Sequence, residues 1–193
     1  MKIAVIVGTS REGRVTPRLA QWVMNAGAAR SDVEFRLLDL KEFSIPMLEQ
    51  APWHKDRQLT DGTKQWLDGL RQSDGVIIVT AEYNHTIPAV LKNAFDHTHG
   101  ELIRKPVAIV SHGVNSGVRA NEHLRQMVNS NMGAFSISST VTYFGKVTDS
   151  LDEQGRATGD NQLNDAKLAK LLDDIIWYTG AIKAAKDKEE KSV

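Results

Sequence analysis

The chain has 193 residues, enough for one domain with a substantial core and too few for two ordinary ones. Hydrophobic residues make up 41% and charged residues 25%, a globular balance that excludes a disordered, collagenous or coiled-coil chain. Lys and Arg number 24 and Asp and Glu 24, which argues against a nucleic-acid binder and a strongly acidic carrier, while the absence of cysteine removes disulfides, thiolate nucleophiles and Cys-ligated metal centres.

Ile3 to Val7 is an unbroken β-branched run ended by Gly8, the pattern of a buried strand. It is too short for a signal-peptide core, and no run of 18 apolar residues follows, so the expectation is a cytoplasmic chain with no membrane segment. Thr16 to Ala29 is a helix with Pro17 in its first turn. Val33 to Leu40 alternates as a second strand, and residues 41–57 form an ordered excursion with Pro46 and Pro52. Leu59 to Ser73 is a helix broken by Asp74-Gly75, and Val76 to Thr80 is the strongest strand. Pro88 to His97 is a helix, Pro106 to Ser111 a strand, Val118 to Asn131 a helix, and Ala134 to Val147 one or two strands. After a polar loop at 150–160, Asn161 to Ala185 is a long helix with Leu163, Leu168, Leu171, Leu172, Ile175 and Ile176 facing inward. Residues 1–185 are read as one domain and 186–193 as a frayed charged tail.

Strands alternating with helices imply a parallel sheet covered on both faces. Five strands favour the flavodoxin-like order 2-1-3-4-5, a three-layer α/β sandwich with its site at the carboxyl ends of the strands. Three loops fall there. Gly8-Thr9-Ser10-Arg11-Glu12-Gly13-Arg14-Val15-Thr16 offers three hydroxyls, two guanidinium groups and a helix N-terminus, the donor set a phosphate dianion needs. It matches neither G-x-G-x-x-G nor the P-loop, which favours a terminal monophosphate; an ordinary βα loop with Thr16 as N-cap is the plain alternative. Ala81-Glu82-Tyr83-Asn84-His85-Thr86-Ile87-Pro88 could set a planar ring against Tyr83, or could be an Asn turn entering a helix. Ser111-His112-Gly113-Val114-Asn115-Ser116-Gly117 suggests close backbone approach to a flat group, or flexible turn chemistry.

Taken together, the three loops resemble the NAD(P)H-dependent FMN reductase family of flavodoxin-like proteins, related to chromate, quinone and azo reductases. The resemblance runs from about residue 3 to 180 and rests chiefly on Glu82-Tyr83-Asn84 followed by Ile87-Pro88-Ala89-Val90-Leu91-Lys92-Asn93-Ala94-Phe95-Asp96. The family pattern there is P-E-Y-N-x-S-x-P-x-x-L-K-N-A-x-D-W. The resemblance implies that Thr9, Ser10, Arg11, Arg14 and Thr16 hold the FMN phosphate, with Val15 beside them. It implies that Ala81, Glu82, Tyr83 and Asn84 line the isoalloxazine ring and that Ser111 and Gly113 flank its other edge. It further implies NADPH or NADH as co-substrate, ping-pong hydride transfer to FMN N5, and passage to a small-molecule acceptor: free flavin, a quinone, an azo compound or a metal oxyanion. No side chain is expected to act as acid or base. A homodimer or homotetramer is expected, with the Pro88–His97 helix and the excursion around Trp53 and His54 near the interface. The chain departs from the pattern at Ala81 (usually Pro), Thr86 (Ser), His97 (Trp), His112 (Tyr) and Val114 (Gly).

His97, His99 and Glu101 are set aside as metal ligands, because His-x-His at a helix end is common. Trp22, Trp66 and Trp177 fit helix faces and are read as core, while Trp53 is a candidate site wall. Arg119 and Arg125 could meet a 2′-phosphate. A flavodoxin-type electron carrier and a non-catalytic flavin-binding regulatory module are the competing readings.

Overall fold

The computed structural model describes residues 1–130 and 132–191. Along the chain come β1 (Lys2–Val7), α1 (Thr16–Ala28), β2 (Glu34–Asp39), α2 (Asp61–Arg71), β3 (Gly75–Ala81), α3 (Ala89–Asp96), β4 (Pro106–His112), α4 (Val118–Ser130), β5 (Phe135–Thr142), α5 (Val147–Ser150) and α6 (Gln162–Lys191). The five strands pair in parallel in the order β2-β1-β3-β4-β5. This is the expected flavodoxin-like α/β sandwich.

Why the strands carry near-continuous apolar runs is visible in the two faces. Ile3, Val5 and Val7 of β1 pack with Ile77, Val79, Ala108 and Val110 under α1 and α6. Ala4 and Ile6 pack with Val76, Ile78, Val107 and Ile109 under α2, α3 and α4. A strand alternates sides every residue, so a sheet covered on both faces needs apolar residues at every position. All seven residues of β3 and of β4 are buried. The helices begin where local chemistry allows. Thr60 caps α2 by accepting from the Thr63 amide, with Asp61 in the first turn and Arg71 in the last. Pro17 opens α1, and Pro88 precedes α3. Trp66 fills the space between α2 and α3, fully buried, and donates its indole N–H to the Ala94 carbonyl at 2.8 Å.

Several expectations need correction. Helix α6 does not end at Ala185: it runs to Lys191, and Arg104 pairs with Glu189 at 2.7 Å. Residues 192 and 193, and Asn131 at the expected end of α4, lie outside the described residues. Leu163 is 56% exposed rather than inward. It lies nine residues before Leu172, about two and a half helical turns, hence on the opposite side of α6. Trp177 is 67% exposed for the same reason: two residues past Ile175 is about 200° around the helix. Ala134 to Val147 holds one strand, within the expected one or two, with a register irregularity opposite Val107–Ile109, and the short helix α5 begins at Val147. Thr16 is not an N-cap: Val15 takes that position and caps nothing with its side chain.

Candidate functional site

The loops after β1, β3 and β4 lie side by side, because those three strands are neighbours in the sheet. In the first, Gly8 donates to the Val79 carbonyl at 2.8 Å, tying the loop to β3. A Cβ at Gly8 would come within 2.9 Å of Leu91 Cδ2, so only glycine lets the loop sit this low. Thr9 follows it, fully buried, and its Oγ1 is one of two buried side-chain polar atoms without a hydrogen-bond partner among the described residues. Buried hydroxyls are normally paired, so this one marks a place for an acceptor or donor from outside the chain. Ser10 is half-buried, Arg11 and Gly13 are exposed, and Gly13 turns the loop with φ 65°.

The two arginines of this loop separate. Arg14, expected on a phosphate, is engaged within the chain. It grips Asp39 at the end of β2 with two bonds of 2.5 and 2.6 Å, and also donates to the Thr9 carbonyl. Both side chains are nearly buried, at 12% and 11% exposure, and a carboxylate there needs a cationic partner. Arg14 therefore shapes the loop. Arg11 instead reaches across to the second loop: its Nε donates to the Tyr83 hydroxyl at 2.8 Å, and the guanidinium lies 5.6 Å from the Tyr83 ring centroid.

The second loop is a tight turn. Tyr83 and Thr86 exchange backbone hydrogen bonds of 2.9 and 3.0 Å around Asn84 (φ 48°) and His85 (φ 66°). Two positive φ values in a two-residue connection make a type I′ turn. Non-glycine residues held this way cost of order 1–3 kcal/mol each and cluster at binding sites. Ala81 is the buried last residue of β3. Glu82 donates its N–H to the His112 carbonyl at 2.8 Å and turns its carboxylate to Arg119, accepting from the backbone N–H at 2.9 Å and the guanidinium at 3.2 Å. Arg119 thus faces Glu82, and Arg125 donates to the Ile137 carbonyl at 3.0 Å. Thr86 Oγ1 bonds His123 Nδ1.

In the third loop, Ser111 is buried and bonds the Ser116 carbonyl at 3.3 Å, with Asn121 donating to it from α4 at the same distance. At Gly117 (φ 71°) a Cβ would stand 2.6 Å from the His112 nitrogen, and at Gly113 one would stand 3.1 Å from Glu82 Cβ. The loop folds back on the end of β4 closely enough that both positions favour glycine. His112 Nε2 lies 2.8 Å from Thr16 Oγ1, joining the third loop to the start of α1. Burial and the nearby Arg11 cation push His112 down to about 4, so its imidazole is neutral at pH 7. A cavity of about 510 Å³ opens beside it, lined by Val15, His112, Gly113, Val114, Lys146 and Thr148 among others.

The structure therefore brings Thr9, Ser10, Arg11, Val15, Thr16, Ala81, Glu82, Tyr83, Asn84, Ser111 and Gly113 to one end of the sheet. Sequence reasoning does not reach Asp39 or His123, and Arg119, read as a possible contact for a 2′-phosphate, holds Glu82 instead. Asp39 reads as an ordinary strand end, and His123 sits in a polar helix, so no local pattern distinguishes either. The donor chemistry suits a phosphorylated flavin. The orphaned Thr9 hydroxyl and the uncapped α1 N-terminus are free for an anion, and a half-buried Tyr83 stands by the close-packed glycine loop. Trp53 lies elsewhere, 69% exposed, on a cavity of about 750 Å³ between the excursion, α3 and α4 whose lining includes Phe95, Ile103, Met127 and Met132. Of the three residues set aside as ligands, two have their side chains engaged: His97 Nδ1 with Arg57 and its Nε2 with the Pro46 carbonyl, and Glu101 with Arg71 and the His99 backbone N–H.

Comparison with known proteins assigns the chain to a family. The family described as NADPH-dependent FMN reductase matches residues 1–149. An NADH:(hydroxy)cinnamate reductase subunit of Vibrio ruber is 32% identical over 188 residues, 94% of this chain and 89% of that one. An NAD(P)H-dependent FMN reductase of Schizosaccharomyces pombe is 34% identical over 119 residues, a match spanning only 60% of either chain. Among solved structures, the flavoenzyme NAD(P)H:(acceptor) oxidoreductase FerB of Paracoccus denitrificans shares the fold, with TM-score 0.72 and 20% identity over 95% of this chain and 97% of that one. No helix among the described residues is long and apolar enough to cross a membrane. On these grounds the chain belongs to the NADPH-dependent FMN reductase family of oxidoreductases.

Proposed function

We propose that this protein binds FMN across the three loops and uses NAD(P)H to reduce a small-molecule acceptor, in the cytoplasm where that reductant is held. The observation that carries the reading is the fully buried Thr9 hydroxyl with no partner, at the foot of a loop that also presents Ser10, Arg11 and the uncapped start of α1. A phosphate there supplies the missing acceptor. When bound, FMN supplies the hydride chemistry itself. The chain's own contributions are to hold the phosphate with Thr9, Ser10 and Arg11, and to fix the Tyr83–Thr86 turn and the Ser111–Gly117 loop as walls for a planar ring. Nicotinamide and acceptor use one opening in turn, which is a ping-pong arrangement. The acceptor class is free flavin, a quinone, an azo compound or a metal oxyanion.

The apolar cavity carrying Trp53, Phe95 and Ile103 is the surface we assign to a second copy of the chain, in a homodimer or homotetramer. Large exposed apolar residues there, Trp53 at 69% and Ile103 at 53%, fit a covered face.

An anaerobic absorbance scan of the FMN-loaded protein, on adding NADPH and then NADH, tests the activity. Bleaching of the flavin band within seconds is the expected result. A band that persists despite tight FMN binding overturns the enzymatic reading in favour of a carrier or regulatory module.

A further inference from the structure

Two residues of α4 meet the turn after β3 from the same side. Arg119 and His123 are four residues apart, so they stack on one helix face. Arg119 holds Glu82 by its backbone N–H and its guanidinium, and His123 Nδ1 holds Thr86 Oγ1. Glu82 and Thr86 bracket the Tyr83–Thr86 turn, with Asn84 and His85 both at positive φ between them. The Glu82 side chain is only 9% exposed, so its carboxylate depends on this partner. Nothing within the turn relieves its backbone cost beyond the two bonds between Tyr83 and Thr86.

We infer that Arg119 and His123 are positioning residues: α4 holds the Glu82–Thr86 turn in its left-handed geometry and so presents Tyr83 and the turn backbone to the flavin ring. This rests on the FMN reading for its functional half. Its structural half concerns the free protein alone.

The test uses the full chain with Arg119→Met, His123→Ala and His123→Asn, the last placing an amide nitrogen near the position of Nδ1. Amide exchange by NMR reports the turn in the free protein, and fluorescence titration reports FMN affinity. Arg119→Met and His123→Ala are expected to speed exchange of the Thr86 amide about tenfold while Ile77 to Val79 keep their protection. Both are expected to weaken FMN binding about tenfold, the effect of losing one hydrogen bond of ordinary strength. His123→Asn should restore both. Unchanged exchange at Thr86 overturns the clamp, and faster exchange with wild-type FMN affinity overturns its role in presenting the ring. Failure of the wild-type chain to take up FMN would instead refute the proposed function, and the free-protein exchange would still decide whether α4 holds the turn.

Discussion

Replacing Thr9 by Val separates stability from binding, because the two should move in opposite directions. Valine keeps the shape and removes a hydroxyl that is fully buried and has no partner. An unsatisfied buried polar group costs about 1–3 kcal/mol, and the variant escapes that cost. The FMN-free variant should therefore be more stable by about 1 kcal/mol, which raises Tm by ~2–4 °C for a protein of this size. FMN affinity should fall, since the phosphate loses a charge-assisted hydrogen bond of about 1.5–3 kcal/mol, or roughly ten- to hundredfold in Kd. Thermal unfolding of the free protein and fluorescence titration with FMN measure the two effects. A free protein that is less stable, together with unchanged FMN affinity, would refute the argument: the hydroxyl would then have an internal partner and no part in the site.

Other substitutions probe the frame around the site. Asp39→Ala strands the Arg14 guanidinium, which is 12% exposed, and should cost about 3–5 kcal/mol in urea denaturation; a loss under about 1 kcal/mol would show that Arg14 finds solvent instead. Trp66→Ala empties a fully buried site and should cost about 3–5 kcal/mol by the same assay, an effect that a collapsing cavity would reduce. His112 titrates near 6.5 unfolded and about 4 folded, so the unfolded chain binds the extra proton between those values. Its contribution is fully present above pH 6.5 and lost as pH falls through 4, about 3 kcal/mol in all. His112→Gln should flatten the stability profile between pH 6.5 and 4; profiles that superimpose would place the imidazole in solvent.

Much of the molecule is written in local patterns. Unbroken β-branched runs at Ile3–Val7 and Val76–Thr80 announce a sheet covered on both faces, and Pro17 and Pro88 mark helix starts. Together with strand count, these favour the 2-1-3-4-5 order, and the strand ends then locate the three loops. The Glu82-Tyr83-Asn84 segment is readable as a motif because its residues are contiguous. Phase along a long helix is less secure: the apolar residues Leu163 and Trp177 look like core in sequence but stand about half a turn out of phase with Leu172 and Ile175, and so fall on the far side of α6.

Tertiary structure alone decided which polar groups are already matched. Arg11 and Arg14 are three residues apart and chemically alike, yet Asp39, 25 residues on, captures Arg14 and leaves Arg11 to Tyr83. Glu82, Thr86 and His112 acquire Arg119, His123 and Thr16 only when separate βα units pack side by side. The same packing seals Thr9 without giving its hydroxyl a partner. Periodicity follows from how a chain buries apolar surface, and is therefore local. Hydrogen-bond and charge pairing depends on distance in space, which residue spacing does not encode.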